Sequence, residues 1–127
     1  VIHAPTGTQD YFPALAPGLN LIRYSARGAR LEPLDFDQDL FSSRLMLVYT
    51  GKAHHSGINN WQVLKDVIDG KKEPLRALKK IAQISSKMAV ACQNKDWGMI
   101  PELFHQEFEA RVELSAGFSS PEIEVLR

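Results

Sequence analysis

The order of apolar and polar positions divides the chain into a strand-like first part and a helical remainder. "LNLIRYS", Leu19 to Ser25, carries β-branched and aromatic residues, "ARGAR" supplies a turn around Gly28, and "RLEPL" reads as a return strand. Pro33 places that strand at an edge or marks its end, so the pattern predicts a hairpin. "DFDQDLFSS" follows as an acidic linker with room for one helical turn. In "SRLMLVYTG", Ser43 to Gly51, the continuous apolar run Leu45, Met46, Leu47, Val48 and Tyr49 is bounded by polar and glycine residues. That is the pattern of a strand buried on both faces. It opens into the polar loop "TGKAHHSG".

Helical periodicity takes over next. "NNWQVLKDVIDG" sets Trp61, Leu64 and Ile68 on one face with Val63 and Val67 beside it, and Gly70 stops the helix. From Glu73, with Pro74 near the first turn, Leu75, Leu78, Ala82, Ser85, Ala89 and Cys92 recur at spacings of three and four. Ile81 and Met88 widen this stripe, and Arg76, Lys79, Lys80, Gln83 and Lys87 form the opposite face. Asp96 is a candidate cap for a further helix, with Pro101 near its first turn and Ile100, Leu103, Phe104, Phe108 and Val112 along one side. "SSPEIEVLR" starts a short helix capped by Ser119 or Ser120. Strands followed by helices predict an α+β fold, with helices packed on a small, mainly antiparallel sheet.

Composition narrows the function. Of 127 residues, 44% are hydrophobic and 24% charged, which is globular and not disordered. Fifteen basic residues balance fifteen acidic ones, so a dedicated nucleic-acid binder is not expected. The single cysteine, Cys92, lies in an apolar run and reads as a buried thiol in a reducing, cytoplasmic compartment. No apolar run approaches the ~20 residues of a membrane span, and no signal peptide is evident. The absence of an initial methionine and the brevity of the last helical segment lead to the expectation of a fragment of a longer protein. Walker A, Gly-x-Gly-x-x-Gly, Cys-x-x-Cys and His-Glu-x-x-His patterns are all missing. His54 and His55 are adjacent, but they lack carboxylate or cysteine neighbours at ligand spacing, so no metal site is expected.

Two stretches remain as candidate chemistry. In "APTGTQDYFPALAPG", Ala4 to Gly18, one acid, Asp10, stands between a glycine turn and a short apolar segment. Asp10 is either a helix cap or a reactive carboxylate; if the segment is helical, its N-terminus favours the charge. In "LVYTGKAHHSG" a strand end delivers Lys52, His54, His55 and Ser56 to a loop that could hydrogen-bond a hydroxylated or anionic ligand.

"PTGTQDYFPALAPGLNLIRY", a spacer, and "LMLVYTGKAHHSG" resemble the middle and later parts of the GHMP family of small-molecule kinases, nearest to its galactokinase and heptose 7-phosphate kinase branches. The similarity runs in order through most of the chain, but only the Gly-x-x-Asp motif and the Tyr-Thr-Gly strand end are specific. The resemblance implies that residues 1–43 are the tail of an N-terminal kinase domain. Residues 44–127 would then be most of a ferredoxin-like α+β C-terminal domain. It implies that Asp10 faces the phosphate-accepting hydroxyl of a sugar or sugar phosphate as base or polarising group. Gly7, Thr8 and Gln9 would present it near the substrate, and Lys52, His54 and Ser56 would contact that substrate. MgATP would be bound mainly by a glycine- and serine-rich loop that this sequence does not contain, so the chain by itself is expected to be inactive. Tyr11 stands where much of the family has glutamine. The competing expectation is a non-catalytic α+β ligand-binding or interaction module in which Asp10 is only a cap.

Overall fold

The computed structural model describes residues 8–51 and 56–126, with side chains left undescribed at 56–59 and 116. Along the chain run α1 (Tyr11–Leu15), β1 (Asn20–Ser25), β2 (Gly28–Pro33), α2 (Gln38–Ser42), α3 (Ser56–Ile68), α4 (Lys72–Gln93) and α5 (Ile100–Leu114). A 3-10 turn (Ala116–Phe118) and α6 (Pro121–Leu126) follow. The architecture is α+β, with helices packed against a two-stranded antiparallel sheet.

The hairpin forms as its sequence predicts. Asn20 pairs with Pro33 and Ser25 with Gly28, so the proline lies at the strand end, where its missing N–H interrupts no longer ladder. Ser25 Oγ tightens the turn, accepting from Arg27 N and donating to Gly28 O. On one face, Arg23 and Arg30 both bond Glu32 and hold its carboxyl below its ordinary range. The acidic linker contains its helical turn: Asp37 caps α2 by accepting from Leu40 N at 2.9 Å.

The core lies between α4 and α5, which run antiparallel; Lys80 meets Glu113 at one end and a short turn joins them at the other. Ile84, Ala91, Leu103 and Ala110 are buried together, flanked by Ile81, Met88 and Ile100. On α4 the packed seam is Pro74, Ala77, Ile81, Ile84, Met88 and Ala91. This corrects the stripe expected from sequence, because Leu75, Leu78, Ala82 and Ser85 face solvent, and of that set only Ala89 is buried. Small side chains win the seam because Ala77, Ala91 and Ala110 let two helix backbones approach closely, where leucines would hold them apart. Phe104, expected in the core, is likewise exposed. Cys92 is half-buried, with its thiol pushed up by partial desolvation.

Helix ends follow recognisable chemistry. Gly70, at φ +79°, closes α3 with Lys71 N donating to Asp66 O and Gly70 N to Val67 O. The same paired bonds close α4, Asp96 N to Ala91 O and Lys95 N to Cys92 O, with Lys95 in the left-handed region at φ 57°. Asp96 therefore ends α4 instead of capping α5, whose N-cap is Met99. Ser120 caps α6, accepting from Ile123 N. On α3 the face is the reverse of the expected one: Val63 is buried while Trp61, Leu64 and Ile68 are exposed.

The largest departure is Leu45–Tyr49. These residues form no strand; Met46 is 86% and Leu47 99% exposed. A strand exists only through a ladder, and among the described residues none pairs with this run.

Candidate functional site

Asp10 lies in a turn closed by Tyr11 N donating to Thr8 O at 3.2 Å, directly before α1. Its backbone is already helical (φ −73°, ψ −18°), and its side chain makes no cap hydrogen bond. The carboxylate is exposed and has no hydrogen-bond or ion-pair partner among the described residues. Contrast Asp37, which holds the extended backbone of a true N-cap and bonds Leu40 N. Asp10 thus takes the position of a cap without doing its work. With only five residues, α1 also has little axial dipole to lend it.

What fixes the turn is β1. Along a strand, alternate residues share a face, so Asn20, Ile22 and Tyr24 point one way. Asn20 Nδ2 donates to Ala16 O at 2.8 Å and to Gly18 O at 3.1 Å, clamping the end of α1 and the loop after it. Asn20 Oδ1 is buried without a partner among the described residues. Tyr24 holds the other end: its hydroxyl lies 3.1 Å from Thr8 Oγ1, and its ring meets Phe12 edge-on at 6.3 Å. The segment from Thr8 to Ala16 is therefore strapped to one strand at both ends. Tyr24 and Asn20 were not singled out from the sequence, although the alternation of "NLIRY" carries that information.

The expected site residues are only partly brought together. Thr8, Gln9 and Asp10 form one exposed turn. Gly7, Lys52, His54 and His55 lie outside the described residues. Ser56 opens α3, and its side chain is not described. No group of three or more metal-ligating side chains occurs among the described residues.

Away from this turn, Leu19, Leu21 and Leu34 of the hairpin face Ile84, Met88 and Phe104 across an apolar groove of about 380 Å³. The loop after β2 is tied to the α4–α5 turn by Lys95 Nζ to Asp35 at 2.7 Å and by edge contacts from Phe36 to Phe41 and from Phe41 to Trp97. Lys95 holds the Asp35 carboxyl below its ordinary range. Among the described residues no helix is long and apolar enough to cross a membrane. No family model, no curated protein and no solved structure matches the chain.

Proposed function

We propose that the chain is the C-terminal part of an ATP-dependent small-molecule kinase of GHMP type, acting on a hydroxyl of a sugar or sugar phosphate. In this reading the second half is the family's ferredoxin-like domain. One observation carries the proposal. In the Thr8–Asp10 turn the carboxylate is strapped in place from both sides yet forms no bond of its own with any described residue. A mere cap would be bonded, and a mere surface acid would not need the strap.

Phosphoryl transfer asks a protein for positioning and charge stabilisation more than for covalent chemistry. Asp10 would accept, or polarise, the proton of the attacking sugar hydroxyl as its oxygen bonds to the γ-phosphorus and the bond to ADP breaks. Among the described residues the positive-φ glycines Gly18, Gly28, Gly51 and Gly70 each stand alone in a turn or at a helix end, so these four form no run of amides able to cradle a triphosphate. The chain contributes the acceptor side, and MgATP belongs to the rest of the parent protein.

The test is ADP release by the full-length protein with MgATP and a panel of hexoses, heptoses and their phosphates. At least one substrate should turn over, and Asp10→Asn should abolish that turnover while the melting temperature holds. Absence of turnover across the panel defeats the proposal, and full activity in Asp10→Asn defeats the role of Asp10 in it. By calorimetry the 127-residue chain alone should show no micromolar affinity for MgATP.

A second reading, a non-catalytic interaction module, is favoured by the exposed apolar run Leu45–Tyr49, a surface suited to contact with another polypeptide. A full-length protein that phosphorylates no member of the panel would leave that reading in place.

A further inference from the structure

We propose that Tyr24 is the positioning residue of the Asp10 carboxylate, an inference that rests on the kinase reading for its chemical consequence and on the structure for its geometry. Tyr24 touches the chain two residues before Asp10, through Thr8 Oγ1 at 3.1 Å, and two residues after it, through the Phe12 ring at 6.3 Å. These contacts differ in kind. The hydroxyl bond fixes the entry to the turn, and the edge-to-face ring contact fixes the first turn of α1. Between them lies the Tyr11 N to Thr8 O bond that closes the turn carrying Asp10.

Among the described residues no other side-chain hydrogen bond, ion pair or ring contact holds this end of α1. The helix is five residues long, too short to be rigid alone, and none of its residues is buried. Its other end is fixed by Asn20 at the start of the same strand. A bond at each end of β1 turns the strand into a splint for α1, and only the Tyr24 end lies next to the carboxylate. Tyr24 is more than half exposed, so its contacts are not by-products of core packing. Misplacement of a reacting group by about an ångström can cost ~100-fold in rate, which sets the scale for losing the splint.

Two measurements test this, and they separate its failure from failure of the kinase reading. On the 127-residue chain, the ¹⁵N order parameter of the Asp10 amide should be near 0.85 and fall toward about 0.6 in Tyr24→Ala, with Tyr24→Phe between them. On the full-length protein, Tyr24→Phe should lower kcat about fivefold, the equivalent of one neutral hydrogen bond, and Tyr24→Ala by about thirtyfold with the ring contact also lost. KM for MgATP should be unchanged in both. A mobile Asp10 in the wild-type chain, or an order parameter indifferent to both substitutions, overturns the splint. If Asp10→Asn abolishes turnover while both Tyr24 variants keep wild-type kcat, the positioning role is overturned and the kinase reading stands. If Asp10→Asn is fully active, the catalytic role of Asp10 falls, and the positioning role of Tyr24 in turnover with it; if the wild-type protein turns over no substrate, the kinase reading falls.

Discussion

Asp10→Ala should leave stability almost untouched, and Asp37→Ala should not. Both aspartates sit directly before a five-residue helix, so the pair is an internal control. Asp37 has the extended backbone of an N-cap (φ −80°, ψ 109°) and accepts from Leu40 N at 2.9 Å. Replacing such a cap by alanine costs about 1 kcal/mol. The cost reaches the global fold because α2 carries Phe41, which meets both Phe36 and Trp97. For a domain of this size, 1 kcal/mol lowers the melting temperature by about 4 °C. Asp10 has no cap bond to lose, its backbone is already helical, and alanine favours that conformation. The expected change is within about 0.5 kcal/mol. Urea unfolding followed by circular dichroism, with thermal melts as a check, measures both variants against wild type. Equal losses for the two variants would refute the reasoning, since Asp10 would then be a cap and its carboxylate would already be committed.

Two further outcomes follow from the packing and the charges. Leu103, only 1% exposed between α4 and α5, should cost about 3 kcal/mol as Leu103→Ala in urea, and a loss under about 1 kcal/mol would mean the helical pair is not the core. Acid should weaken the fold in a defined window. Hydrogen bonds from Arg23 and Arg30 lower Glu32 from its ordinary 4.5, and bonds from Lys71 and Gln62 lower Asp66 from its ordinary 3.8. A depressed folded value means the contribution is complete above the unfolded value and is lost as pH falls through the folded one. Urea midpoints should therefore hold from pH 7 to about pH 5 and decline below the ordinary carboxylate range. Asp66→Asn should decline less steeply, and a steeper decline would contradict the sign.

How much was legible depended on whether the deciding contact was local. The hairpin turn, the Asp37 turn, the Gly70 stop and the Ser120 cap were all readable, because each is settled between residues close in sequence. The α4 seam was not. Apolar side chains occupy so much of that helix that two stripes compete, and size favours Leu75 and Leu78 while close helix approach favours Ala77 and Ala91. Leu45–Tyr49 failed for a different reason. Its composition suits a strand, but a strand also needs a neighbour, and composition does not name one. Of the site, the acid was visible through a motif, while its fixation through the bond of Tyr24 to Thr8, sixteen residues apart, required the folded chain.

The turn bearing Asp10 is bonded to β1, and β1 to β2, without any of those bonds passing through the α4–α5 core. The loop after β2 joins the two through Asp35 to Lys95 and the Phe36, Phe41 and Trp97 contacts. An exposed ion pair adds little, so the aromatic contacts carry most of that coupling. A core substitution such as Leu103→Ala should then lower the folded fraction without changing how Asp10 is aimed in the molecules that remain folded. Tyr24→Phe should do the reverse, leaving the core intact while loosening the acid. Stability and aim are set by different residues, because a strand splints the acid and a helical pair holds the fold.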